Sequence, residues 1–440
     1  MDMNQFFVEA LNTREHPIKN AKKKIQAEYI TALTYIVEKA INEANCQQAE
    51  AKKFAAGRLH LYQNQLFADI STGAIDEKNG TRCLTAFSKP WRNKYRFMLV
   101  CDVALILLDE TLVSAAMRII KERLSTKRQV DVEQITLLLQ NDRDIEKKYL
   151  PASTLVSQYR ANKSFLAKSE RRIIVTANMC AGKSTLINAL IGKPIARTSQ
   201  EVCTGNVCYL FNKAYEDDKI YLSAQGLNLS ATAEDLHGYD WNGHISIASY
   251  FAGIDADVPR LCIIDTPGVD AALYKEHSKR AHNALLNDDY DTIIYVVSPT
   301  RLGTDAEKKH LQWVAKNLQK DKVIFVLNKL DDYHDFSDSI EESVHEFKED
   351  LLKIGFENPV ICPISAYFSY LLKMSITGQA LSEDEKDEYD LYAKKFKRST
   401  YDLSHYYEGE KCLSTDSEEI ALSKRVGLYG LEKIIYGGRL

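Results

Sequence analysis

The chain of 440 residues is predicted to be α/β, a doubly wound and mostly parallel sheet preceded by an all-helical domain. Three observations lead there. Up to residue 168 the apolar positions keep the three-and-four spacing of buried helix faces. From Arg171 onward, short apolar runs ending in polar residues or turns alternate with helical stretches, the pattern of a sheet covered on both faces. One of those strand-to-helix junctions reads "TANMCAGKST", which carries most of a phosphate-binding turn.

Taken in order, residues 20–46 place Ile25, Tyr29, Leu33, Ile36, Val37, Ala40 and Ile41 on one face. A second helical stretch covers about Glu50 to Ile70. The segments "STGAIDEKNG" and "SKPW" are punctuated by Gly, Asn and Pro and read as loops. From Lys94 to Leu124, Phe97, Cys101, Ala104, Leu105, Leu108, Leu112, Ala116 and Ile120 keep helical spacing. Shorter helices follow at about 131–148 and, after Pro151, at 152–168. The expected division is therefore a helical domain at 1–168 and an α/β domain at 169–440.

Within the second domain the strands are "RRIIVTAN", "VCYLFNKA", "KIYLSAQ", "RLCIIDTP", "TIIYVVSP", "KVIFVLNK" and "NPVICPISA". The second and third are joined by "YEDD" and read as an antiparallel hairpin at one edge. Residues 367–425 form a polar helical insertion, and "VGLYGLEKIIYG" gives a last amphipathic helix.

Composition is that of a folded, soluble protein, with 45% hydrophobic and 27% charged residues. A net charge of −4 combines a basic first part with an acidic remainder. Neither is basic enough to point to DNA. The nine cysteines are odd in number and scattered among apolar neighbours, as in reduced cytoplasmic proteins. Cys203 and Cys208 are followed by no second pair at zinc-ligand spacing. The amino terminus has no basic segment leading into an apolar run. The run "FMLVCDVALILL" is too short to span a bilayer and contains Asp102, so it reads as a buried helix.

The chemistry concentrates at strand ends. The template Gly-x-x-x-x-Gly-Lys-Ser/Thr falls on Ala177 to Ser184, with alanine at the first glycine. Asn178, Met179, Cys180, Ala181, Gly182, Lys183, Ser184 and Thr185 would surround phosphates, the helix N-terminus adding positive potential. Lys183 would reach the β and γ phosphates, and Ser184 would offer its hydroxyl oxygen to Mg²⁺. "LCIIDTPG" places Asp265 where it can hold the Mg²⁺ shell through water, and the Gly268 N–H where it can sense a γ-phosphate. "VIFVLNKLDD" supplies Asn328, Lys329 and Asp331, whose carboxylate can take both N–H donors of guanine. "CPISAY" adds Ser365 and Ala366. Each motif lies at the strand edge where doubly wound folds bind ligands.

This set resembles the motifs of translation-factor-related GTPases, and "AGKSTLINALIG" with "DTPGV" is most similar to the dynamin-like large GTPases of bacteria. The resemblance implies a Mg²⁺-dependent GTPase converting GTP to GDP and phosphate, with Lys183, Thr204 and Gly268 catalytic. It also implies metal contacts from Ser184, Thr204 and, through water, Asp265. Thr204 in "SQEVCTGNV" would close on Mg²⁺ and the γ-phosphate, with Thr198 as the substitute. Expected partners are a second G domain, as a homodimer or a dynamin-like protein, with peripheral membrane contact through that partner.

Three departures matter. If Ala177 needs a positive φ, it costs about 1 kcal/mol. Val269 stands where Ras-like proteins carry a water-orienting glutamine. Met179 and Cys180 replace the polar side chains with which dynamins hold a monovalent cation, and sulfur is a poor ligand for a hard cation. Two alternatives stay open: an Era-like GTPase acting on ribosome or RNA, and a GTP-binding scaffold with very slow hydrolysis.

Overall fold

The computed structural model describes residues 7–437, apart from 15, 44–48, 71–74, 142, 197–205, 225, 238–243, 255–257, 270–274, 335–337 and 409–415. The chain divides into two units. One comprises Met1–Ser169, Lys213–Ala231 and Ala248–Tyr250, the other Glu170–Asn212, Thr232–Ile247 and Phe251–Leu440.

Among the described residues the first unit is built on seven α-helices: α1 (Lys23–Glu43), α2 (Ala49–Leu66), α3 (Glu77–Ala86), α4 (Asn93–Leu107), α5 (Glu110–Glu122), α6 (Thr126–Gln140) and α7 (Ser153–Leu166). The helix α4 is its core, with every residue from Tyr95 to Leu107 buried. Asp102 on that helix is wholly buried. Its carboxylate accepts from His16 Nε2 at 3.0 Å, from the Tyr62 hydroxyl at 3.0 Å and from the Tyr29 hydroxyl. Ile18 N–H donates to His16 Nδ1 at 3.2 Å, which leaves Nε2 as the nitrogen that carries the proton. A charge that counted against a membrane helix is thus satisfied inside a helical bundle. No described helix is long and apolar enough to cross a membrane.

Two sequence expectations are corrected here. The stretch from Lys94 to Leu124 is two helices, because Leu108 takes φ 57 and Asp109 then caps α5, accepting from the Thr111 and Leu112 N–H groups. The loop expected at "STGAIDEKNG" contains the start of α3, whose cap is Asp76 accepting from Asn79 N–H at 2.7 Å. The Asp cap and an acidic first turn outweighed the Asn and Gly that suggested a loop.

The same unit takes in a two-stranded antiparallel ladder, β3 (Ile220–Ser223) with β4 (Leu227–Ala231). What binds it there is a buried polar knot. Lys213 Nζ donates to both oxygens of Asp217 at 2.6 and 2.5 Å. Asp217 also accepts from Leu11 N–H at 2.8 Å, and Lys219 Nζ donates to the Leu11 carbonyl at 2.9 Å.

The second unit follows the order β1 (Arg171–Ala177), α8 (Lys183–Ile191), β2 (Cys208–Asn212), α9 (Ala233–His237), β5 (Ile245–Ser249) and β6 (Leu261–Asp265). It continues with α10 (Lys275–Asn287), β7 (Thr292–Val297), α11 (Asp305–Asn317), β8 (Val323–Leu327), α12 (Ile340–Ile354) and β9 (Val360–Pro363). Four helices finish it: α13 (Ala366–Ile376), α14 (Glu383–Phe396), α15 (Glu418–Arg425) and α16 (Leu428–Gly437). Its strands lie in the order β5-β2-β6-β1-β7-β8-β9. From β6 to β9 neighbours are parallel, while β2 runs antiparallel to β6. The central strands are buried on both faces, as continuous apolar runs in parallel sheets are.

The hairpin expected between "VCYLFNKA" and "KIYLSAQ" does not form. β2 takes β6 as its antiparallel partner, β3 takes β4, and the link between them is occupied by the Lys213–Asp217 knot. Every residue of β2 is buried, which an edge strand of a hairpin would not allow.

Candidate functional site

The register of the sheet gathers the motifs at one edge. Val175 pairs with Asp265 and Ala177 with Val296, so β1 overruns β6 by two residues before the chain turns into α8. Asn328 follows β8 directly, its N–H bonded to the Val297 carbonyl at 2.8 Å. Ile364 N–H bonds to the Leu327 carbonyl, also at 2.8 Å, which places Ser365 and Ala366 beside Asn328.

The turn from Asn178 to Gly182 has its strain somewhere other than expected. Ala177 is not among the residues with positive φ; Cys180 is, at φ 63, and Gly182 follows at φ 87 as the cap of α8. The alanine in place of the first glycine therefore carries no left-handed penalty. The cost falls on Cys180, about 1–2 kcal/mol for a residue with a side chain in that region. Gly182 has two reasons to be glycine, its φ and its surroundings: a Cβ there would meet Asn328 Nδ2 at 2.3 Å.

Asn328 holds the site together. Its Nδ2 donates to the Ala181 carbonyl at 3.0 Å, and its Oδ1 accepts from Ala366 N–H at 2.9 Å. One buried side chain thus ties the phosphate turn to the segment after β9. Lys329 takes φ 65, and its Cε lies 3.9 Å from the point a Gly182 Cβ would occupy, so its stem runs along the turn. Asp331 is buried and accepts from the Ser365 hydroxyl at 2.7 Å. Burial raises its pKa, offset in part by that hydrogen bond. Ser365 also caps α13, accepting from Phe368 N–H at 3.3 Å.

Opposite, Lys183 Nζ donates to the Asp265 carboxylate, and both side chains are nearly buried, 10% and 5% exposed. Ser184 and Thr185 are half-buried at the start of α8. Gly268 packs against Met179, whose Cγ would lie 3.2 Å from an added Cβ. Val269 is buried and its N–H bonds to the Ala177 carbonyl at 3.1 Å. Met179 is half-buried and Cys180 exposed. Thr204 and Thr198 lie outside the described residues, as does most of "SQEVCTGNV".

Some supporting residues carried no motif signal. Lys395 on α14 donates to the carbonyls of Asp331, at 2.6 Å, and Tyr333; the Tyr401 hydroxyl donates to the latter at 3.0 Å. Lys373 on α13 is buried and donates to the Leu190 carbonyl at the end of α8 and to Glu432 on α16. Glu307 on α11 accepts from Asn178 Nδ2 at 2.7 Å. In sequence, Thr304-x-x-Glu307 reads as a helix-capping signature. Thr304 does cap α11, accepting from Glu307 N–H, but the Glu307 side chain turns inward to Asn178.

Comparison with known proteins points the same way for part of the chain. The family model described as the Dynamin family matches residues 173–330, which hold the phosphate turn, Asp265 and the Asn328-to-Leu330 segment. That stretch is similar to the GTPase domain of the dynamin family. It is 25% identical over 274 residues to the probable transmembrane GTPase FZO-like, chloroplastic, of Arabidopsis thaliana. That alignment takes in 60% of this chain and 26% of that protein, so the chain spans about a quarter of the relative's length. Among solved structures, an oligomerised bacterial dynamin pair matches at 16% identity over 88% of this chain and 70% of that one, with a TM-score of 0.37. Toc33 of Arabidopsis thaliana matches at 15% identity over 62% and 87%, with a TM-score of 0.32. The Era GTPase of Aquifex aeolicus matches at 17% identity over 49% and 58%, with a TM-score of 0.28. In this unit Lys183, Asp265, Asn328, Asp331 and Ser365 converge on one sheet edge.

Proposed function

We propose that the chain binds GTP with Mg²⁺ and hydrolyses it to GDP and phosphate, its nucleotide state controlling self-association or a membrane-associated dynamin-like partner. The observation that carries the reading is Asn328, which links the phosphate turn at Ala181 to Ala366 and sets Asp331 and Ser365 2.7 Å apart at the base end. A carboxylate there accepts from guanine N1–H and the exocyclic amine, a pair of donors that adenine does not present.

Ser184 and Asp265 offer hard oxygen donors suited to Mg²⁺, which keeps several waters and needs few protein ligands. When bound there, the ion would supply charge neutralisation between the β and γ phosphates. Lys183 would leave Asp265 to meet the phosphates, and the backbone at Gly268 would report the γ-phosphate. Electrostatic stabilisation of the in-line attack of water is the main catalytic term in this chemistry.

The slow-hydrolysis reading is favoured by one observation. Val269 is buried against Ala177, and neither its side chain nor the thioether and thiol of Met179 and Cys180 can orient water or hold a monovalent cation. Turnover would then depend on groups brought by a second G domain. Phosphate release measured against protein concentration, in sodium and in potassium, tests this. A rate per molecule that rises with concentration supports paired G domains; a flat and barely detectable rate supports the scaffold.

A further inference from the structure

The helix α11 touches the strand and turn that lead into α8 at two points. His310 Nε2 lies 3.3 Å from the Thr176 hydroxyl, and Glu307 accepts from Asn178 Nδ2 at 2.7 Å. Residues three apart on one helix face thus meet Thr176 on β1 and Asn178 just past its end. Glu307 is 1% exposed, and its second oxygen accepts from the Tyr295 hydroxyl. Among the described residues it has no ion-pair partner. An acid buried this deeply is costly, and burial raises its pKa despite the hydrogen bonds from Tyr295 and Asn178 and the charge of Arg301, so packing alone would favour an apolar residue.

The turn it contacts needs restraint. Cys180 is held in the left-handed region, and such strain persists only where the surroundings over-determine the backbone. Within the turn the backbone bond from Ala181 N–H to the Asn178 carbonyl is long, at 3.4 Å. Asn328 pins the exit at Ala181; Glu307 pins the entry at Asn178; Met179 and Cys180 lie between. We propose that Glu307 is a positioning residue for the phosphate turn, holding Asn178 so that the turn keeps the strained Cys180 conformation in which its amides face the nucleotide. The proposal rests on the guanine-nucleotide reading of the site.

The test is fluorescent-GDP titration of the full chain as wild type, Glu307→Ala, Glu307→Gln, Cys180→Gly and the Glu307→Ala/Cys180→Gly double variant. Loss of the tether should weaken GDP binding by about tenfold to a hundredfold, the range for a buried hydrogen bond left unmade. Glutamine keeps an acceptor for Asn178, and its amide N–H can donate to the Tyr295 hydroxyl oxygen in place of accepting from it, so Glu307→Gln should stay near wild type. Glycine relieves the strain at 180, so the double variant should recover most of the lost affinity, which a merely structural role for Glu307 would not produce. With GTP, Glu307→Ala should raise KM more than it lowers kcat. If Glu307→Ala fails to fold, Asn178→Ala must show the same loss and the same recovery by Cys180→Gly. A folded Glu307→Ala that binds as wild type overturns the proposal, as does a loss that Cys180→Gly leaves untouched. A wild type that binds no guanine nucleotide fails earlier and overturns the GTPase reading with it.

Discussion

Lys183 Nζ donates to the carboxylate of Asp265 across the start of α8, so the cation proposed for phosphate and the carboxylate proposed for the metal shell neutralise each other. Both are nearly buried, and neither could stand there alone cheaply. Nucleotide binding must exchange this pair for phosphate on one side and the ion's water shell on the other. Asp265→Asn should release Lys183 and leave GDP affinity in EDTA unchanged or higher, while removing the tightening that Mg²⁺ brings. Titration with and without Mg²⁺ reads both effects, and Lys183→Ala should lower affinity under either condition.

Base selection should rest on Asp331. With asparagine there, one of the two acceptors becomes a donor facing guanine's own donors. GTP binding should fall by about a hundredfold or more, since a site built for a hydrogen bond rejects the wrong partner strongly. Xanthosine triphosphate, which presents an acceptor at the changed position, should bind the Asp331→Asn variant better than GTP does. Competition against labelled GDP measures both.

Gly182→Ala combines a left-handed φ of 87 with a Cβ 2.3 Å from Asn328 Nδ2. The backbone penalty is about 1–2 kcal/mol, and the displaced Asn328 loses its bonds to Ala181 and Ala366. A lowered melting temperature together with loss of GDP binding is expected. The Ala177→Gly variant should bind no better than wild type, because residue 177 is not in the left-handed region.

His310 should give the α/β unit an acid-side stability slope. Burial, with a smaller contribution from His282 nearby, lowers its pKa from 6.5 to about 3. The His282 ring also lies 5.7 Å from it, centroid to centroid, and the Thr176 hydroxyl and the Tyr295 ring lie against it from β1 and β7. Between those two values the unfolded chain binds a proton that the folded chain refuses. The contribution is therefore complete above pH 6.5 and is lost as pH falls toward 3, at about 1 kcal/mol per pH unit. Denaturant unfolding from pH 7 to 4 should show this slope reduced in His310→Leu.

In the helical unit, Asp102→Ala strands three buried donors, those of His16, Tyr29 and Tyr62. Breaking such a buried network should cost about 3–5 kcal/mol of stability, seen as a lower midpoint in urea with the GDP affinity of the other unit unaffected.

How much of this was legible beforehand depends on how tightly chemistry constrains the residue. That the turn before α8, Asp265, the Asn328–Asp331 segment and Ser365 meet at one sheet edge could be read directly, because each follows the end of a strand in a doubly wound sheet. Glu307 could not, since its sequence context is that of a helix cap and its inward turn depends on Asn178 being across the gap. The left-handed residue at Cys180 is not legible, because the template marks Ala177 as a glycine position and does not report φ. The partner of β2 was misread because proximity in sequence suggested a hairpin, while the buried pair Lys213 and Asp217 draws the connecting residues elsewhere. The break at Leu108 hides inside an apolar run whose periodicity continues across it; only Asp109, a capping residue, marks the restart.

The central claim, a guanine-nucleotide-hydrolysing site at this sheet edge, is tested most directly by phosphate release from GTP and from ATP by the purified chain, with Lys183→Ala as control. The account predicts release from GTP alone, dependent on Mg²⁺ and lost in the variant. Equal release from ATP, or release from GTP that Lys183→Ala leaves unchanged, would contradict it.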